Sequence, residues 1–156
     1  MSKQIRLSQG KFAIVDDEDF DFLNQWKWCA AKNRNTYYAY RADNGKNIYM
    51  HRLILNAPAG IEVDHRHGNG LDNRRSEIRL CTHAENQHNY RKQSEATSQY
   101  KGITWNKHMK KWRVQIRSDG KHIDLGHFSN QIEAAHAYDE AARKYHGEFA
   151  NTNFNA

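Results

Sequence analysis

The sequence predicts an α+β protein in two parts, on three observations. Residues 61–64 alternate apolar and polar as a half-buried strand does, and residues 78–80 can return beside them. Thr82 stands three residues before Glu85, the spacing of a capping box that opens a helix. Beyond residue 100, three more alternating stretches precede an alanine-rich amphipathic run.

Residues 5–7 and 12–15 read as two short strands, and Asp16-Asp17 as the start of a helix through Phe20, Leu23 and Trp26. Residues 37–40 and 47–50 are expected to pair around the Asn44-Gly45 turn. The run 51–55 leads into the strand at 61–64. Asn69-Gly70 is a strong turn signal, because both residue types tolerate positive φ. On the helix after Thr82, Asn86 and Tyr90 share a face, with Asn89 close by. The polar, aperiodic stretch 94–98 reads as a linker between a part at 1–93 and a part at 99–156.

In the second part, residues 102–105, 111–117 and 121–126 alternate like strands, with Ser118-Asp119-Gly120 as a turn. Ser129 is placed to cap a helix running toward Tyr145. Ala134, Ala135, Tyr138, Ala141, Ala142 and Tyr145 recur on one face, and Gly147 closes it. A three-stranded antiparallel sheet backed by one helix follows.

The chemistry concentrates between residues 63 and 86. Asp64 and Asn86 offer oxygen ligands of the kind Mg²⁺ or Mn²⁺ prefers. His65 is an imidazole of near-neutral intrinsic pKa, suited to taking a proton from water. Taken singly, each has a bland reading as turn residue, surface histidine or exposed amide; as an ordered set around a glycine-rich loop they point to phosphodiester cleavage.

The run Val63-Asp64-His65, Gly68-Asn69-Gly70-Leu71-Asp72-Asn73 and Thr82-His83-Ala84-Glu85-Asn86 resembles the HNH nuclease motif, in a ββα-metal arrangement. The first part as a whole looks like the N-terminal region of phage and intron-associated HNH homing endonucleases. The resemblance implies Asp64 and Asn86 as metal ligands and His65 as general base. The family's central asparagine aligns with Glu77, a departure with two readings. Either Glu77 points outward and backbone bonds hold the loop, or its charge favours a protonated His65 and weakens the nuclease. His51 reads equally as a phosphate contact or as packing beneath the loop.

Composition suits a nucleic-acid partner, with a formal charge of +6 and a pI near 9.3. Eleven Lys or Arg lie between residues 74 and 117, where only Glu77, Glu85 and Glu95 oppose them. Cys29 and Cys81 form no close pair, and neither a secretory signal nor a long apolar run appears. A cytoplasmic setting, in the host of a phage or mobile element, is expected, with no membrane partner.

Tyr100-Lys101-Gly102-Ile103, Leu125-Gly126-His127-Phe128, the run from Glu133 to Ala142, and Asn153-Phe154 resemble the plant ethylene-response-factor type of DNA-binding domain. In that family an exposed sheet face enters the major groove, which implies Lys101, Thr104, Asn106, Gln115, Arg117 and His122 as DNA-binding positions. Asp124, before Leu125-Gly126, replaces a frequent tryptophan and is unfavourable against DNA unless it reads cytosine or turns away. Trp112 reads as core, and Trp105 stays open. The expectation is a Mg²⁺- or Mn²⁺-dependent endonuclease that nicks double-stranded DNA as a monomer or weak dimer. The alternative is an inactive DNA-binding regulator that keeps the nuclease fold.

Overall fold

In the computed structural model, residues 1–33, 35–88 and 97–154 are described. The chain forms two compact units, Met1–Asn86 and Gln87–Ala156, of mixed α and β content. Residues 94–96 of the expected linker, and Asn89 and Tyr90 of the expected helix face, lie outside the described residues.

In the first unit, β1 (Ser2–Arg6) and β2 (Phe12–Asp16) pair antiparallel. Helix α1 (Asp17–Leu23) follows and stops short of Trp26, contrary to the sequence expectation. The indole of Trp28 donates to the Leu23 carbonyl (2.8 Å), so an aromatic side chain takes up a helix-end acceptor. Strands β3 (Cys29–Asn33), β4 (Thr36–Asp43) and β5 (Lys46–Tyr49) make an antiparallel sheet, and Asn44-Gly45 turns with both φ positive as expected. The short helix α2 (Met50–Ile54) leads to the ribbon of β6 (Glu62–His65) and β7 (Ile78–Cys81), and then to α3 (His83–His88).

Arg52 explains how α2 hands the chain to β6. Its guanidinium donates to the carbonyls of Ile61 (2.6 Å), Ala57 (3.2 Å) and Pro58 (2.9 Å), satisfying loop acceptors that have no ladder partner. The core joins Ile5, Val15, Leu23, Trp28, Met50 and Ile78, so both sheets and the ribbon share one apolar centre.

In the second unit, β8 (Ile103–Asn106), β9 (Lys111–Ser118) and β10 (Lys121–Phe128) form the expected sheet in the order β10-β9-β8, with a bulge between Asp124 and Gly126. Helix α4 (Gln131–His146) packs Ala134, Ala135, Tyr138, Ala141 and Ala142 against Ile103, Val114 and Ile116. Asn130, one residue past the expected Ser129, is the N-cap and accepts from Ile132 N at 2.7 Å. Tyr145 points outward rather than joining the apolar face. Gly102 is fixed sterically: its φ is +77° and a Cβ would lie 2.0 Å from the Tyr138 ring. Asp139, 1% exposed, accepts from the backbone N–H groups of Asn153 and Phe154 and from the Asn153 amide, tying the C-terminal segment to the helix.

Candidate nuclease site and nucleic-acid interface

In the β6–β7 ladder, Glu62 faces Cys81, Asp64 faces Arg79, and His65 faces Ile78. Strand pleating therefore sends Glu62 and Asp64 to one side of the ribbon and His65 to the other. On the first side, Asp64 is 4% exposed, and its Oδ2 accepts from Arg79 Nε (2.9 Å) and a terminal nitrogen (2.7 Å). The α3 side chains reach Glu62: Asn86 Nδ2 donates to Oε2 (2.6 Å), and His83 Nδ1 lies 2.8 Å from Oε1. These two bonds hold the Glu62 carboxyl below the usual carboxylate range. Sequence reasoning brings Asn86 toward Asp64; the contact made is with Glu62, two residues earlier on the same strand side. Burial, with help from the Asp64 and Glu62 carboxylates, pushes the Cys81 thiol up to about 12.

On the other side His65, 5% exposed, sits among rings: His51 edge to face at 5.1 Å and Tyr38 at 5.5 Å between centroids. Burial lowers the His65 pKa; Asn73 and the charges of Asp64, Asp72 and Glu77 offset this only in part. Glu77 does not keep His65 protonated, because desolvation outweighs its field. His51 is buried and stacked on Tyr49, which decides between its two readings in favour of packing. Desolvation, and secondarily His65 and Arg52, bring its pKa down to about 3.

Glu77 neither points outward nor leaves the loop to backbone bonds alone. Its side chain is 17% exposed, and Oε2 lies 2.6 Å from His67 Nδ1. Its carbonyl accepts from Arg66 N (2.8 Å), so main chain and side chain both close the neck of the loop 66–77. Gly68, not Asn69-Gly70, takes the positive φ (+73°). Gly70 is required by proximity, since a Cβ would come within 2.5 Å of the Tyr37 carbonyl and the Tyr38 ring. The loop docks on β2: Ile14 N donates to Leu71 O (2.8 Å) and Asn73 N to Ile14 O (2.7 Å). Arg75 N donates to Asp16, and its guanidinium forks onto Asp19 at 2.8–2.9 Å.

These pairings revise the charge reading. Arg74 is held by Asp72, Arg75 by Asp19, Arg79 by Asp64 and Arg113 by Asp124, acids that all lie outside residues 74–117. Counting within that stretch misses them: Asp72 lies two residues before Arg74, and the fold brings the other three acids to their partners. Two of the eleven bases, Arg91 and Lys92, lie outside the described residues.

In the second unit the register places Thr104, Asn106, Gln115, Arg117 and His122 on the sheet face away from α4. Arg113 shares that face and bonds Asp124 at 2.6 and 2.8 Å, so the carboxylate is neutralised within the sheet. Asn106 is committed to a turn, its Oδ1 accepting from His108 N and Met109 N at 3.1 Å. Lys101 stands before β8 and is half-buried; burial brings its ammonium pKa down to about 8. Trp112 packs into the core, and Trp105, 37% exposed, meets it edge to face at 4.8 Å.

Among the described residues no group of three or more His, Cys, Asp or Glu side chains could hold a metal ion. Mg²⁺ needs less, since it keeps several waters and takes one or two carboxylates. Asp64 on β6 and Asn86 on α3 supply hard oxygen donors of that kind, so the donor chemistry fits, while both Glu62 oxygens are taken by Asn86 and His83. No described helix is long and apolar enough to cross a membrane. Cys29 and Cys81 are free thiols.

The AP2 domain model matches residues 98–148, the sheet and helix of the second unit. A protein of Acanthamoeba polyphaga mimivirus, named as an uncharacterized HNH endonuclease, is 27% identical over 93% of this chain and 76% of its own. Protein 3.8 of Escherichia phage T7 is 30% identical over 60% of this chain and 76% of its own. APETALA2-like protein 2 of rice is 42% identical over 38% of this chain but only 14% of its own length. The fold and these matches define an HNH endonuclease relative that carries an AP2 domain. The chain belongs to the family of phage T7 protein 3.8.

Proposed function

We propose that the chain is a DNA endonuclease of the HNH type, in which a ββα unit (β6, β7 and α3) cuts and the AP2 domain holds the duplex. The observation that carries the reading is His65, the residue after Asp64 on β6 and on the opposite pleat, buried and with its pKa lowered by that burial. A neutral imidazole can take the proton of an attacking water, and the ring's fixed setting between Tyr38 and His51 orients it. Asp64 and Asn86 would hold Mg²⁺ or Mn²⁺ through their oxygens. The ion, when bound, polarises the scissile phosphate and stabilises the departing oxygen. Glu77 and His67 keep the loop closed beside His65. The sheet face with Gln115, Arg117 and His122 supplies base and phosphate contacts to double-stranded DNA. One such centre per chain cuts one strand, so a monomer nicks and a double-strand break takes two chains or two events.

A second reading, a DNA-binding regulator that retains the nuclease fold, is favoured by the pairing of Asp64 with Arg79. Incubating supercoiled plasmid with the protein and Mg²⁺, beside His65→Ala and Glu77→Asn, tests both. Nicking that His65→Ala abolishes is the expected result. Retained DNA binding with no cleavage by any of the three, in Mg²⁺ or Mn²⁺, selects the regulator.

A further inference from the structure

We propose that Glu62 is a positioning residue that fixes which end of the Asn86 amide faces the metal. The inference rests on the reading above, in which Asp64 and Asn86 hold a divalent ion. An asparagine side chain has one donor end and one acceptor end of nearly equal size, and only the oxygen binds a hard cation. An ionised carboxylate only accepts. With Asn86 Nδ2 donating to Glu62 Oε2 at 2.6 Å, the nitrogen end is committed to Glu62 and Oδ1 is turned away from it.

The second Glu62 oxygen makes that commitment firm. Oε1 meets His83 Nδ1 at 2.8 Å, three residues earlier on α3, so one carboxylate grips the first turn of the helix at two points. Glu62 is also in the right place, two residues before Asp64 on β6 and on the same side of the ribbon. Partners that orient a metal ligand without touching the metal typically change affinity about 10–100-fold when removed.

Replacing Glu62 by Gln keeps the size; with its oxygen accepting from His83 Nδ1, its NH2 end meets Asn86 and draws Oδ1 toward itself, so the nitrogen end of Asn86 turns to the metal. Replacing Asn86 by Asp makes both ends oxygen and removes the need for orientation. The test is Mn²⁺ binding to the full chain without DNA, followed by electron paramagnetic resonance, with melting temperatures in EDTA as the fold control. The variants are Asp64→Ala, Glu62→Gln, Asn86→Asp and the double variant Glu62→Gln/Asn86→Asp. The wild-type chain should bind Mn²⁺ and Asp64→Ala should lose it. Glu62→Gln should bind about 10–100-fold more weakly at unchanged melting temperature, and this loss should vanish in the Asn86→Asp background. Equal binding by Glu62→Gln and wild type overturns the proposal while leaving the metal reading intact. A loss that persists beside Asn86→Asp makes Glu62 a ligand or a fold element, and also overturns it. No Mn²⁺ uptake by the wild-type chain, or uptake that Asp64→Ala leaves unchanged, removes the metal reading and the proposal together.

Discussion

His51 and His65 meet edge to face with ring centroids 5.1 Å apart, two buried imidazoles from separate elements of one unit. A proton on either ring places a cation in an apolar setting, and a proton on one opposes a proton on the other.

That relationship makes the fold acid-sensitive. Below pH 6.5 the unfolded chain protonates His51, whereas the folded chain refuses that proton until about 3. Stability is therefore full above the unfolded pKa and declines as pH falls through that window, by about 2 kcal/mol between pH 6.5 and 5 for this one group. His51→Phe should flatten the decline while filling the same space. Urea denaturation at pH 5 and 7.5 checks it; an unchanged pH slope would count against a neutral buried His51.

His67 and Glu77 should behave as a coupled pair. A thermodynamic cycle of His67→Ala, Glu77→Ala and the double variant should give a coupling of about 0.5–1 kcal/mol, as expected for a partly exposed hydrogen-bonded pair. Glu77→Asn gives up the bond to His67, so increased nicking by that variant would identify the carboxylate itself as a brake.

Two glycines predict opposite sensitivities to one methyl group. Gly102→Ala places Cβ 2.0 Å from the Tyr138 ring at a positive φ, whereas Gly120→Ala meets nothing within 4 Å. Gly102→Ala should cost more than about 3 kcal/mol, from overpacking added to strain; Gly120→Ala should cost about 1. Thermal melts of the two variants suffice.

DNA affinity should respond differently to two cations. Arg117→Ala on the exposed sheet face should weaken binding by about 1–3 kcal/mol if it reads a base. Lys101→Met should act through charge alone. Because burial brings Lys101 down to about 8, its contribution should fade as pH rises through that value. Fluorescence anisotropy across pH and salt separates the two; a Lys101→Met effect that is the same at pH 7 and 9 would remove Lys101 from the phosphate contacts.

Much of this fold was legible because local patterns carried it. Thr82 and Glu85 form the reciprocal capping bonds that their spacing announces, and β8, β9, β10 and α4 follow their alternation and alanine stripe. β3 was missed because Cys29-Ala-Ala-Lys-Asn33 has little strand propensity of its own and pairs only because the tyrosine-rich β4 lies beside it. The residues surrounding the site were illegible for a related reason. Arg52, Arg79 and Glu62 owe their roles to partners brought close by pleating and loop docking, and no spacing rule reports such meetings.

Docking of the loop on β2 limits how the ββα unit can be moved between proteins. Ile14 gives and takes a backbone bond with the loop, and Asp16 and Asp19 grip Arg75 from the same N-terminal segment. Residues 61–88 are thus no self-contained cassette: a chimera that grafts them onto another scaffold inherits the chemistry without the wall that shapes it. A transplant of this unit must carry the first twenty residues along.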